Sequence, residues 1–180
     1  MSDATVARNY AEVLFTLGER GGQTERYLDL LDATAAAIEQ SPRVELVLMS
    51  PRVPKAEKAR VLTSALQDVA PREFVLFVDA VVKRGRQGLF RDIANQLEAL
   101  LDVKLNRIRA GVTLARPVDD KLRDDITRAL SESLGKDVIA TFYTDPAILG
   151  GTIVRVGERI FDGSVRRRLA NLRRHLTVSR

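Results

Sequence analysis

In Ile108-Arg109-Ala110-Gly111-Val112-Thr113-Leu114, apolar residues occupy every second position. This period of two is typical of a strand that buries one face. Upstream of it, apolar residues recur every three to four positions, which is the period of an amphipathic helix. The change of period divides the 180 residues into a helical part, 1–105, and a smaller α/β part, 106–180. The sequence therefore predicts a mainly α protein with a small α/β module at its end.

The upstream part is predicted to be a six-helix bundle, because short breaks separate six apolar-periodic segments. Asp3 or Thr5 is predicted to cap the first helix, which ends before Gly21-Gly22. The first helix carries its apolar residues at helical spacing, and a short third helix is predicted from Val44 to Met49. Those apolar residues of the first helix are Val6, Tyr10, Val13 and Leu17.

The fifth helix is the most apolar segment of the chain, running from Phe74 to Val82 around a single acid, Asp79. A helix that is apolar on nearly all sides either lies at the centre of a bundle or offers one face to a partner. Gly85 and Gly88 separate it from the sixth helix. Both interpretations of the fifth helix stay open at this point.

The downstream part is predicted to alternate strands and helices. Asp119 caps a helix that ends at Gly135, and Val138 to Tyr143 forms a second strand. A hairpin follows, with Gly157-Glu158 as its two-residue turn. The chain is predicted to end in a helix whose narrow apolar stripe consists of Val165, Leu169, Leu172 and Leu176.

Composition removes much of the usual catalytic repertoire. The chain has no cysteine and one histidine, so thiolate sites and sites with two histidines are excluded. Carboxylate chemistry remains possible, with Asp79 as the best single candidate for a raised pKa, because burial disfavours the charged form. No second carboxylate lies at a suggestive spacing. We therefore expect no catalytic residue, no metal and no cofactor.

Positive charge is concentrated at the end of the chain. The net charge is +5, and residues 164–180 contain six arginines and no acid. Subtracting these six from +5 leaves residues 1–163 at −1. The arginine-rich helix packs on its own module, lies on an anionic membrane surface, or binds nucleic acid. The last of these defines the alternative function, a basic adaptor for RNA or DNA.

Neither end of the chain suggests a membrane segment. No apolar run reaches the roughly 18 residues that span a bilayer, and residues 1–10 lack the basic and apolar regions of a signal peptide. We therefore expect the protein to remain in the compartment where it is made.

Three stretches resemble one known family. The most specific is Asp145-Pro146-Ala147-Ile148-Leu149-Gly150-Gly151-Thr152-Ile153-Val154-Arg155-Val156-Gly157-Glu158-Arg159-Ile160-Phe161-Asp162-Gly163-Ser164-Val165-Arg166-Arg167-Arg168-Leu169. The other two are Val6-Ala7-Arg8-Asn9-Tyr10-Ala11 and Gly85-Arg86. Together they resemble the delta subunit of F-type ATP synthase, whose mitochondrial counterpart is the oligomycin sensitivity-conferring protein. The signature residues are Gly150, Gly151, Arg155, Gly157, Asp162, Gly163, Ser164 and Arg166.

This resemblance implies a non-catalytic stator subunit in the peripheral stalk, which links the catalytic head to the b-subunit stalk and supports ATP synthesis driven by the proton-motive force. The implied partners are an alpha subunit and the b subunit, without nucleic acid or a second copy of this chain. The implied location is the cytoplasmic face of the bacterial plasma membrane, reached only through the complex. The resemblance places the alpha-subunit helix between the first and fifth helices, on Ala7, Tyr10, Leu14, Phe77, Ala80, Val81 and Arg84.

Overall fold

The structure is a computed structural model that describes residues 2–148 and 150–163. Within these residues the chain is mainly helical, with seven α-helices and one small four-stranded mixed sheet. It divides into two compact units between Leu101 and Asp102. We call them the helical unit and the sheet unit. The predicted terminal helix lies in residues 164–180, outside the described residues.

Six α-helices and one short 3-10 helix, Gln87–Leu89, precede the first strand. Two of the predicted helix starts differ from the structure, and each difference has a local cause. The first helix is capped by Ser2, whose side-chain oxygen accepts a hydrogen bond from the Thr5 backbone N–H, rather than by Asp3 or Thr5. The third begins at Pro42 rather than Val44, because proline at the first helical position loses no hydrogen bond. The helices are α1 Asp3–Gly21, α2 Thr24–Gln40, α3 Pro42–Met49, α4 Lys55–Leu66, α5 Arg72–Lys83 and α6 Phe90–Lys104.

The core of the helical unit is built around α5. Phe74 is fully buried, with its ring centroid 5.8 Å from Tyr27 of α2 and 6.4 Å from Phe77. Val78, Val81 and Val82 of α5 are also fully buried. These residues of α5 therefore lie at the centre of the bundle, which is one of the two interpretations of this apolar helix. The exposed side of α5 includes Leu76, which is 57% exposed.

A glycine allows close contact between the end of α1 and the start of α2. A Cβ added at Gly18 would lie 2.7 Å from the Thr24 Cα, closer than side chains tolerate.

We expect Gly18→Ala to lower the free energy of unfolding by about 1–3 kcal/mol, because the two backbones must separate. In the control Gly21→Ala, the nearest atoms lie 3.9 Å away. That control should be neutral or up to about 1 kcal/mol more stable, since alanine favours a helix. Urea unfolding followed by circular dichroism decides it, and equal stability of both variants would refute this packing argument.

Arg91 of α6 ties that helix to α2 through two carboxylates. Its guanidinium donates to both carboxylate oxygens of Glu39, at 2.9 and 2.8 Å, and to Asp32 at 2.8 Å. The hydrogen bond from Arg91 lowers the pKa of Glu39 below its ordinary value. A carboxyl group whose pKa is lowered on folding contributes stability above its unfolded pKa. That contribution is lost as the pH falls through the folded pKa.

We therefore expect Arg91→Ala to be less stable than the wild type at pH 7, by a small amount because the groups are exposed. The difference should begin to shrink as the pH falls below about 4.3, the ordinary pKa of a glutamate, and should continue to shrink through the lowered pKa of Glu39. Urea unfolding of both proteins at pH 7 and pH 3.5 measures this. A difference that persists unchanged at pH 3.5 would show that packing, rather than the ion pair, is responsible.

The sheet unit has the strand order β2-β1-β3-β4. The two longest strands are parallel and carry α7 in their connection, while β3 and β4 pair antiparallel. Asp119 caps α7 by accepting the Leu122 N–H, and Gly135 ends it at a φ of +62°, which confirms both predicted boundaries. Arg123 of α7 lies over the Phe142 ring of β2 at 5.6 Å. The elements are β1 Arg107–Leu114, α7 Asp120–Leu134, β2 Asp137–Thr144, β3 Thr152–Val156 and β4 Arg159–Asp162.

The glycines of the predicted signature form the turns of this unit. Gly150 and Gly151 have φ values of +118° and +89°, and Gly157 opens the β3–β4 turn at +57°. Residues with a Cβ rarely adopt these conformations. The predicted turn at Gly157-Glu158 is confirmed by the pairing of Val156 with Arg159.

Candidate docking groove between the first and fifth helices

The helices α1 and α5 meet along an aromatic contact. The Tyr10 ring meets the Phe77 ring edge to face, with centroids 6.0 Å apart and an interplanar angle of 83°. This geometry is favourable because the positive edge of one ring faces the negative face of the other. At one end of the contact, the Arg86 guanidinium lies 3.4 Å from the Asp3 carboxylate. The residues just after α5 therefore lie beside the start of α1.

A depression of about 380 Å³ opens next to this contact. Tyr10 is half-buried at its wall, while Val13 is 55% exposed and Arg84 is exposed. The surface thus combines an aromatic edge, an aliphatic side chain and positive charge. Its lining residues are Val6, Asn9, Tyr10, Val13, Arg84 and Arg86.

The predicted contact residues separate into two layers. Three of them, Tyr10, Ala80 and Arg84, have accessible side chains. The other four are buried in the core of the helical unit, where they pack beneath the groove. Their direct contact with a partner stays a prediction. These four are Ala7, Leu14 and Val81, each 0% exposed, and Phe77, 7% exposed.

Asn9 and Val13 are lining residues that the sequence prediction missed. The helical spacing of α1 includes Val13, together with Tyr10 and Leu17. That spacing alone does not show whether a stripe faces the core or its edge. The residues on the inner face are Ala7, Ala11, Leu14 and Gly18, and Val13 lies on the neighbouring side.

The signature residues of the sheet unit hold its hairpin in place. Gly163 donates its N–H to the Thr152 carbonyl at 2.9 Å, and a Cβ added there would lie 3.2 Å from that oxygen. In the backbone register of the sheet, Arg155 of β3 lies opposite Gly111 of β1 and Ile160 of β4. Asp162 of β4 lies opposite Ile153 of β3. Ser164 and Arg166 of the predicted signature lie outside the described residues.

The candidate catalytic carboxylate, Asp79, is half-buried and paired with a lysine. Asp79 forms an ion pair with Lys83, one turn further along α5, at 2.8 Å. Over residues 2–148 and 150–163, no group of three or more histidine, cysteine, aspartate or glutamate side chains is arranged to hold a metal ion. Within the same ranges, every helix is too short or too polar to cross a bilayer.

The fold defines a class of protein, a mainly helical protein with a small α/β unit. The family model described as ATP synthase delta (OSCP) subunit matches residues 6–176. The ATP synthase subunit delta of Gemmatimonas aurantiaca is 40% identical over 176 residues, covering 98% of this chain and 95% of the relative. That of Anaeromyxobacter sp. is 33% identical, covering 96% of this chain and 97% of the relative.

A solved structure has the same fold. A chain in the cryo-EM structure of the Toxoplasma gondii mitochondrial ATP synthase hexamer matches with a TM-score of 0.68 at 21% identity. The match covers 95% of this chain and 97% of that one. This chain belongs to the ATP synthase delta (OSCP) subunit family, the non-catalytic peripheral-stalk subunits of F-type ATP synthase.

Proposed function

We propose that the groove between α1 and α5 holds an amphipathic N-terminal helix of an alpha subunit of the catalytic head. The observation that carries this proposal is the depression beside Tyr10, where an aromatic edge and the exposed Val13 lie above the buried contact of Tyr10 with Phe77. A helix bound in an apolar groove is a recurring mode of recognition that needs no chemistry from the receptor.

In this proposal the chain has two functional modules, residues 1–105 and residues 106–180. The six α-helices before β1 form one bundle, which is the first module. The division of the chain between Leu101 and Asp102 supports two separate binding modules. Limited proteolysis should therefore release a stable, highly helical fragment close to residues 1–105. Rapid degradation of that fragment would argue against separate modules.

The sheet unit binds the end of the b-subunit stalk. Support comes from a depression of about 720 Å³ on this unit, whose lining includes Tyr143 and Ile160. These side chains are 56% and 51% exposed, a large apolar area for the surface of a small unit. Exposed apolar groups that lie together often mark interaction sites.

This arrangement serves a mechanical role. The turning central rotor exerts torque on the catalytic head, and the stator subunit holds the head still by binding both head and stalk. Long-lived binding is needed, since dissociation would uncouple proton flow from ATP synthesis. The proposed location is the cytoplasmic face of the bacterial plasma membrane, where the chain is held as a peripheral part of the complex.

Calorimetric titration of the full chain with a peptide of the alpha-subunit N-terminus tests the groove. We expect one peptide bound per chain, with helical circular dichroism gained on binding. If the wild type did not bind the peptide, the alpha subunit would not be the occupant of this groove.

A parallel titration with single-stranded DNA tests the alternative adaptor function, which rests on residues 164–180. Tight binding to DNA that falls steeply with salt would favour that alternative.

A further inference from the structure

The groove continues along the outer side of α1. A second depression, of about 510 Å³, is lined by Asn9, Glu12, Val13, Thr16, Leu17 and Arg20. It shares Asn9 and Val13 with the depression beside Tyr10. The two depressions therefore form one continuous surface from Val6 to Arg20, which we call the α1 strip.

The dimensions of the α1 strip fit a helix. The 14 residue steps from Val6 to Arg20 span roughly 21 Å along α1, at about 1.5 Å per residue. A partner helix of about 14 residues has the same length. Tyr10, Val13 and Leu17 form a line along the strip at spacings of three and four, so they offer apolar contact in successive turns.

The charges around the strip are mainly positive. Arg20, Arg84 and Arg86 line the two depressions, and the one acid among the lining residues is Glu12. Glu12 already accepts a hydrogen bond from Arg8 at 2.9 Å. Across the part of the chain that the structure describes, neither Arg84 nor Arg20 forms an ion pair, so both are available to a partner.

We propose that the α1 strip selects an amphipathic helix with carboxylates beside its apolar stripe, and that Arg84 pairs with one of them. This inference rests on the proposed docking function and specifies the chemistry of the bound helix. Apolar contact along α1 holds any helix of suitable pattern. The unpaired arginines favour an acidic helix and repel a basic one, because complementary charge sets specificity more than affinity. Arg84 is thus a specificity-determining residue beside Tyr10.

Two synthetic peptides of 14 residues test this inference on the full chain. Both carry leucine at the same apolar positions, and their flanking positions are either all glutamate or all lysine. We expect the wild type to bind the glutamate peptide at least about tenfold more tightly. Arg84→Glu should weaken binding of the glutamate peptide about tenfold and strengthen binding of the lysine peptide. The control is Arg43→Glu on α3, an exposed arginine that lines neither depression and should change neither affinity.

The outcomes separate this inference from the proposed function. Equal binding of both peptides by the wild type, or no binding of either, would overturn charge selection. The same holds if Arg84→Glu and Arg43→Glu behave alike. Preference for the glutamate peptide without binding of the alpha-subunit peptide would support the acidic-helix selection while contradicting the alpha subunit as occupant. Binding of the alpha-subunit peptide, with equal binding of the two synthetic peptides, would support the alpha subunit as occupant while contradicting the acidic-helix selection.

Discussion

Phe74→Ala is expected to lower the free energy of unfolding of the helical unit by about 3–5 kcal/mol, the usual loss for a buried phenylalanine. Phe74 is fully buried and its ring packs between those of Tyr27 and Phe77. Truncation therefore removes apolar burial and leaves a cavity at the centre of the core. Urea unfolding followed by the helical circular dichroism signal measures the loss.

The matched control lies two residues along the same helix. Leu76 is 57% exposed, so Leu76→Ala should change stability by no more than about 0.5 kcal/mol. The contrast tests the orientation of α5 rather than its apolar character alone. Comparable losses in both variants would mean that the helix presents a different face to the core.

Tyr10→Ala is expected to weaken binding of the alpha-subunit N-terminal peptide by about 2 kcal/mol, roughly thirtyfold. The physical reason is the loss of a half-buried aromatic edge at the wall of the groove. Calorimetric titration of the full chain gives the two affinities, and circular dichroism verifies that the variant remains folded.

Tyr143→Ala provides an aromatic control outside the groove. Tyr143 is 56% exposed on the sheet unit, so its loss should leave affinity for the alpha-subunit peptide unchanged. If Tyr10→Ala bound the alpha-subunit peptide with unchanged affinity, Tyr10 would not be part of the binding site. Equal weakening by both variants would indicate a general effect on the protein rather than loss of a contact.

The sequence predicts the local elements well where a local cause decides them. The switch from helical to alternating spacing locates β1, and Asp119 and Gly135 bound α7 because each satisfies the terminal groups of that helix. Glycine at position 157 predicts the turn because glycine readily adopts a positive φ, and the structure has such a φ there. None of these features requires knowledge of the rest of the fold.

The groove is harder to predict because accessibility depends on the neighbouring helices. Ala7 and Leu14 share the periodicity of α1 with Tyr10, yet both are fully buried while Tyr10 reaches the surface. The sequence contains the pattern but not the angle at which α5 packs on α1. The apolar pattern therefore does not distinguish Val13, which lines the groove, from the residues that face the core.

In the assembled ATP synthase, we expect the α1 strip to contact the alpha subunit. The chain has no cysteine, so one introduced cysteine gives a unique position for a photoactivatable maleimide cross-linker. Val13→Cys places it in the groove, and Ala37→Cys places it on an exposed part of α2 as the control. Mass spectrometry of cross-links formed in the purified complex is the decisive measurement. We expect Val13→Cys to link to the N-terminal segment of an alpha subunit and Ala37→Cys not to link to it. Links from Ala37→Cys to that segment, with none from Val13→Cys, would contradict this expectation.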